Sequence, residues 1–290
     1  MINLAFVKSQ FKIVKIPLII FFILLFVCTI PPILLSQSPY FAPLQIINTK
    51  IINGKDVVDI QNVITGAWLF KLFFVIPSII LFFVFGLILV QQILLKEINK
   101  GYFSSWLVTP MSRKTILNSK LFVILLLILS LNISILLIQL ILFKIVFKDF
   151  NNQFALHLFL YFLSLIFVSF LSTSMTWIIS CYFCNKQSIS ISVVSGILTM
   201  FIVFYFLVEY SQIPSLDNLK YLTITSFLKP IIFSAAKDSL TLNSSQTFVF
   251  GKIKNFNLIN FLWQMPTILT IGGGLFILGN WFFYKKDLHL

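Results

Sequence analysis

The sequence predicts an all-α membrane protein with six transmembrane helices, and three observations lead to that fold class. Hydrophobic residues make up 59% of the 290-residue chain and charged residues only 10%, whereas a soluble domain carries about 25% charged residues. Lys, Arg, Asp and Glu are absent from six separate blocks. Each block reaches the ~20 residues that a helix needs to cross the hydrocarbon core of a bilayer. A soluble globular protein is therefore excluded.

The six predicted spans form a single transmembrane domain that covers 1–290. They occupy 16–35, 72–95, 121–143, 154–183, 188–208 and 261–284, and the long outer loops are 36–71 and 209–260. The first span follows three lysines, as a secretory signal would, but it ends at Pro31-Pro32 and not at a small-residue cleavage site. We therefore expect it to remain uncleaved. The fourth span contains no Gly, Pro or charged residue, which predicts one long helix.

The distribution of Lys and Arg predicts that both chain termini lie in the cytoplasm (N-in/C-in). In that orientation the inner connectors are 1–15, 96–120, 184–187 and 285–290, and their density of Lys and Arg is about twice that of the outer connectors. The formal net charge is +13. Because the basic residues lie beside the span ends, membrane lipid head groups explain this charge, and no nucleic acid partner is predicted.

The sequence offers no catalytic or metal site of its own. It lacks the phosphate-binding loop of NTPases and the HExxH and GxSxG motifs, and no span contains Asp, Glu, Lys or Arg. His157 is expected at the outer interface, and Cys181 and Cys184 are expected to be free thiols because no further ligands complete a metal site. We predict that the chain is not an enzyme and that any uphill transport is driven by another subunit.

The sequence of the connector between the second and third spans predicts an amphipathic helix. Ile98, Tyr102 and Trp106 recur at helical spacing and form one apolar stripe, and Thr109-Pro110 ends the helix. Such a helix lies along the cytoplasmic interface. The residues alone leave two interpretations open, a plain interfacial anchor and a surface on which a driving subunit acts.

The order of residues in this connector resembles that of a known family. Glu97, Gly101, Thr109-Pro110, Ser112-Arg113 and Lys120 follow one another like the E…G…(S/T)P(V/L/M)SR…K stretch of type-2 ATP-binding-cassette (ABC) exporter permeases. The ending Phe282-Phe283-Tyr284-Lys285-Lys286-Asp287-Leu288 is similar to the aromatic and then basic close of the same family. The likeness extends over the whole chain in topology, but in specific residues over only about thirty positions.

The resemblance implies a permease subunit that exports an amphiphilic, lipid-like, peptide or drug-like substrate. It pairs with a second permease half, identical or related, and binds two cytoplasmic ABC ATPase subunits. ATP and Mg bind to those partners and no cofactor binds to this chain. The expected location is the cell membrane, specifically a bacterial plasma membrane, as a multi-pass protein. The alternative function is a membrane scaffold or assembly protein that transports nothing.

The resemblance also implies roles for individual residues. In the family, the stretch matching 98–108 is a coupling helix that transmits closure of the ATPase. By that likeness Glu97 and Gly101 form its hinge, and Tyr102, Phe103 and Trp106 make its contacts or anchor it. Arg113 and Lys114 would meet lipid phosphate or the ATPase. The remaining coupling positions are Thr109 and Pro110, which end the helix, and Lys120, which stands at the inner face where the third span begins.

Polar residues within the spans are candidates for a translocation path. Asn132 and Gln139 are seven residues apart and share a face of the third span, while Thr173 and Thr176 belong to a polar cluster in the fourth. They line the path or hydrogen-bond within and between helices, and the residues leave both possibilities open. In the first outer loop, Asn53-Gly54 between β-prone residues predicts a small hairpin.

Overall fold

Six long helices dominate the computed structural model of the chain. The structure describes residues 4–35, 45–52, 55–62, 76–101, 112–146, 152–210 and 258–285. Within these ranges, six helices are long and apolar enough to cross a membrane. This confirms the prediction of a multi-pass membrane protein whose spans are helical. Most of the outer loop 209–260 lies outside the described residues.

The helices and strands follow the order of the predicted spans and loops. They are α1 (Leu4–Leu35), β1 (Gln45–Ile52), β2 (Lys55–Asn62), α2 (Ile76–Val90), a π-helical turn (Gln91–Leu95), α3 (Lys96–Asn99), α4 (Arg113–Val146), α5 (Asn152–Tyr182), α6 (Gln187–Tyr210) and α7 (Leu258–Lys285). The second spanning helix thus consists of α2, the π-helical turn and α3.

The first helix begins earlier than its charge-free block. The block starts at Ile16, whereas α1 starts at Leu4, about three turns before it. These added turns are held by packing, because Phe6, Gln10 and Val14 are buried at a spacing of four residues, which is one face of a helix. The lysines of the same segment lie on other faces and do not oppose this contact.

The helix α5 is the centre of the bundle. It packs against α2, α4, α6 and α7. In the most apolar stretch of α5, 67% of the residues are buried, compared with 11% in that of α6. The composition of α5 explains this position, since it carries small hydroxyl residues that let neighbouring helices approach. Most of the other spanning helices therefore pack against α5, and α6 is the least buried of them.

Glycines of α7 allow α5 to approach it closely. A Cβ at Gly272 would lie 2.5 Å from Phe170 Cε1, and a Cβ at Gly279 would lie 2.8 Å from Trp177 Cδ1. The two glycines are seven positions apart, and so are the two aromatic residues, with the numbering rising in the same direction. The two helices therefore run parallel and are in close contact at two successive levels. Trp177 Nε1 also donates to Asn280 Oδ1 at 3.1 Å.

The first outer loop contains the two-stranded hairpin for which Asn53-Gly54 is the sequence signal. β1 and β2 pair antiparallel, and Ile52 is the partner of Lys55. The two residues between the strands, Asn53 and Gly54, lie outside the described residues. This hairpin is a small addition to a bundle whose spanning elements are all helical.

Candidate functional site

A buried ion pair joins the end of the second spanning helix to the start of the third. Lys120 Nζ lies 2.5 Å from Glu97 Oε2, and the two side chains are 0% and 5% exposed. From α1, Gln10 Nε2 donates to Glu97 Oε1 at 2.8 Å. Each carboxylate oxygen of Glu97 therefore has a donor. We call these three residues, Gln10, Glu97 and Lys120, the polar junction.

The ammonium group of Lys120 has two further neighbours. It donates to the carbonyl oxygen of Ile93, and it lies 6.0 Å from the centroid of the Phe6 ring. A charge removed from water is tolerated only where an opposite charge and hydrogen bonds replace its hydration. Removing one partner of such a pair costs about 3–5 kcal/mol. The polar junction therefore fixes α1, the second spanning helix and α4 against one another.

The π-helical turn supplies one of these contacts. The backbone N–H of Lys96 donates to the carbonyl oxygen of Gln91, five residues earlier, where an α-helix would use the residue four earlier. Ile93 lies inside this widened turn. Its carbonyl oxygen accepts a hydrogen bond from Lys120. Single π-helical turns in long helices are frequent at functional positions, and this one adjoins Glu97 directly.

The segment 102–111 lies between two well-defined ends. At the first end, Gly101 donates its N–H to the carbonyl oxygen of Ile98 at 3.0 Å and has a φ of 72°, a left-handed conformation that favours glycine after a helix. At the second end, Ser112 Oγ accepts the N–H of Thr115 at 3.2 Å, which caps the start of α4. The polar junction lies a few residues beyond both ends.

The predicted coupling residues divide into a described and an undescribed group. The described ones are Glu97, Gly101, Arg113, Lys114 and Lys120; Tyr102, Phe103, Trp106, Thr109 and Pro110 lie outside the described residues. The structure brings Glu97 and Lys120 into direct contact. Arg113 and Lys114 are exposed, and Lys114 Nζ lies 6.0 Å from the centroid of the Tyr284 ring near the end of α7.

The four candidate path residues are buried within this chain. Thr173 and Thr176 donate their hydroxyls to carbonyl oxygens of α5, those of Ser169 and Thr173. Asn132 Nδ2 donates to the carbonyl oxygen of Ile128 in α4. In this conformation the groups of Thr173, Thr176 and Asn132 bond within their own helices, and a role of the four residues in a translocation path stays a prediction.

Two amides of α4 stand apart from this pattern. Among the described residues, neither polar atom of the Gln139 side chain has a hydrogen-bond partner, and Asn132 Oδ1 has none. Both side chains are 0% exposed. A buried amide without a partner is unfavourable by about 1–3 kcal/mol, so these two residues are costly in the conformation described.

The side chains that the structure describes include the three cysteines but neither of the two histidines. Cys28 is half-buried, and Cys181 and Cys184 are buried. Within the described ranges, no group of three or more His, Cys, Asp and Glu residues is placed to hold a metal ion. His157 lies in α5, and its side chain is outside those described.

Exposed cations gather at the end of the bundle that contains the polar junction. They are Lys8, Lys12, Lys15, Lys96, Lys100, Arg113, Lys114, Lys186 and Lys285. Two contacts connect α6 and α7 to this end: Asn99 Nδ2 donates to Gln187 Oε1 at 2.7 Å, and Lys114 Nζ lies over the Tyr284 ring. Lys144, at the far end of α4, is the exposed cation of the opposite end among the described side chains.

One member of the polar junction, Gln10, and the π-helical turn beside it were not predicted from the sequence. Gln10 lies between Phe6 and Val14 on the buried face of α1, and its partner Glu97 is 87 residues away in sequence. A glutamine at the same helical phase as apolar residues is the signal that was available. The π-helical turn has no comparable signal, because its residues are ordinary helix formers.

Comparisons with known proteins found no relative of this chain. No protein-family model matches the chain, and neither a curated protein nor a solved structure matches it. The structure and the residues themselves therefore carry any proposal about function.

Proposed function

We propose that this chain is the transmembrane permease subunit of an ABC exporter. Two separate cytoplasmic ATPase subunits bind ATP and Mg, hydrolyse the ATP, and act on the connector 96–120 through the stretch 98–108. The chain pairs with a second permease half and lies in the cell membrane. It performs no catalysis itself; its task is to convert movement of the connector into movement of the spanning helices.

The observation that carries this proposal is the ion pair between Glu97 and Lys120. It joins the two ends of the connector, since Glu97 precedes the segment 102–111 and Lys120 follows it. A push on the connector reaches the membrane only if its ends are firmly attached to spanning helices. The buried pair and the bond from Gln10 attach it to three of them, which suits a part that transmits force.

The exposed cations support an orientation with both termini in the cytoplasm. Nine of them surround the polar junction end, as enumerated above, and Lys144 marks the opposite end among the described side chains. Lys and Arg concentrate on the cytoplasmic side of membrane proteins. In that orientation the connector faces the compartment that contains ATP, where the ATPase subunits bind.

The peripheral position of α6 supports pairing with a second permease half. Only 11% of the residues in its most apolar stretch are buried. Its exposed positions include Ser188, Ser192, Ser195 and Thr199, and small residues of this kind favour close contact between membrane helices. A second copy or a related chain would cover this face.

The substrate class follows from what the spans lack. The spans predicted from the sequence contain no Asp, Glu, Lys or Arg, and carriers of protons or ions normally need such groups in the membrane. A path formed by these helices is mostly apolar with a few amides and hydroxyls. An amphiphile, such as a lipid-like molecule, a peptide or a drug-like compound, fits this chemistry better than a bare ion does.

A photo-crosslinking experiment tests the proposal. Benzoylphenylalanine is placed at Trp106 in the connector and, as a matched control, at Lys144, and both chains are irradiated in native membranes. Mass spectrometry should identify an ATPase with a phosphate-binding loop attached to position 106 and none attached to position 144. If position 106 attaches only to lipid in membranes that contain the assembled complex, the chain is not driven through this connector.

A further inference from the structure

The first turns of α1 present two different faces. Phe6, Gln10 and Val14 are 3%, 0% and 0% exposed and pack into the bundle. Lys8, Lys12 and Lys15 are exposed. Their spacing of four and then three residues places the lysines along one side of the helix. We call these three residues the lysine stripe.

The lysine stripe ends where the lipid-facing surface of α1 begins. The next residue, Ile16, is 71% exposed, and Ile19, Ile20 and Ile23 are also exposed. The change from cationic to apolar exposed residues marks the border of the hydrocarbon core. From Lys8 to Lys15 the helix rises only about 10 Å, so the lysine side chains, which extend toward water from such positions, lie at the level of the head groups.

The chain does not neutralise the lysine stripe with the side chains that the structure describes. Glu97 is the one carboxylate among them, and it is buried against Lys120 and Gln10. Seen along the helix, three positive charges stand close together on a surface that meets head groups. An anionic group from the surroundings is the chemical complement of such a surface.

We propose that the lysine stripe binds anionic phospholipid head groups, and that bound lipid holds α1 against the polar junction. The opposite face of the same turns carries Gln10, which donates to Glu97. A lipid bound to the lysine stripe limits the movement of these turns, so Gln10 stays in contact with Glu97. This inference does not depend on the proposed transport function.

Lipid binding to purified protein tests the proposal directly. The full chain, in mild detergent, is titrated with phosphatidylglycerol or phosphatidylcholine, and the bound lipids are counted by native mass spectrometry. The stripe variant carries Lys8→Gln, Lys12→Gln and Lys15→Gln. The matched control loses the same three charges elsewhere, through Lys144→Gln, Lys186→Gln and Lys285→Gln, all of which alter exposed side chains.

The expected result is specific to position. The wild-type chain and the control should bind phosphatidylglycerol in preference to phosphatidylcholine, and the stripe variant should lose at least about tenfold in apparent affinity for phosphatidylglycerol. Phosphatidylglycerol should also raise the unfolding temperature of the wild type and the control but not that of the stripe variant. Equal lipid binding by the stripe variant and the control, whether retained or lost in both, would overturn the proposal.

A protein partner is the competing occupant of the same surface. In that case the stripe variant would keep its preference for phosphatidylglycerol while recovering less of a co-purified subunit than the control does. That outcome would also overturn the lipid assignment. Circular dichroism of both variants checks that the exposed substitutions leave the helical content unchanged.

Discussion

Glu97 and Lys120 form an ion pair across the two ends of the connector, with the donor and acceptor atoms 2.5 Å apart and both side chains buried. The residues are 23 positions apart in sequence, and the segment between them leaves α3 and returns to α4. A buried pair of this kind contributes little net stability compared with an apolar pair of similar size. Its presence at the base of the connector is therefore better explained by positioning than by stability.

The first prediction concerns the two halves of this pair. Lys120→Met leaves the Glu97 carboxylate buried with only Gln10 as a donor, so the free energy of unfolding should fall by about 3–5 kcal/mol. Adding Glu97→Leu should restore most of the loss, because no unpaired charge then remains. Unfolding with denaturing detergent, followed by circular dichroism, measures both variants. If the double variant is as unstable as the single one, the pair does not account for the effect.

The second prediction separates transmission from folding. The Glu97→Leu, Lys120→Met double variant should be folded but should respond poorly to its ATPase, because the connector is no longer tied to the spanning helices by charge. In proteoliposomes containing the complete complex, the ATPase rate should persist while transport falls by at least about tenfold. A double variant that transports at the wild-type rate would show that the ion pair has no part in coupling.

The six spans were predictable because exclusion of charge from hydrocarbon acts on every residue of a span. The positions of Glu97 and Lys120 beside the second and third spans were also predictable, since both residues border charge-free blocks. Their direct pairing with each other and with Gln10 was not, because it depends on how α1 and α4 pack. Helix packing in a membrane is decided by shape over many residues, which periodicity alone does not reveal.

The third prediction uses glycines of the same helix as matched positions. A Cβ at Gly279 would lie 2.8 Å from Trp177 Cδ1 and 3.2 Å from the Cα of Ile178, whereas a Cβ at Gly273 would meet nothing within 4 Å. Gly279→Ala should therefore lower the free energy of unfolding by about 1–3 kcal/mol through overpacking. Gly273→Ala should leave it unchanged or raise it slightly, because alanine favours a helix. Equal effects of the two substitutions would contradict the close seam between α5 and α7.

The fourth prediction concerns the end of α3. Gly101 has a φ of 72°, and a Cβ there would meet nothing within 4 Å. Any penalty of substitution is thus due to the backbone alone. Gly101→Ala should cost about 1 kcal/mol, and Gly101→Asn should cost less, because asparagine tolerates the left-handed region. Thermal unfolding in detergent ranks the two variants, and an alanine variant at least as stable as the asparagine variant would speak against this conformation.

The fifth prediction concerns the unpartnered amide of Gln139, which is 0% exposed and has no hydrogen-bond partner among the described residues. Gln139→Leu keeps the volume and removes the unsatisfied groups, so the free energy of unfolding should rise by about 1–3 kcal/mol. If Gln139 contributes to the translocation path, the same variant should transport more slowly, since stability is commonly gained at the expense of such sites. Thr173→Val, which removes a hydroxyl already bonded within α5, is the control and should not gain stability. A leucine variant that is less stable than the wild type would mean that water or another group satisfies this amide.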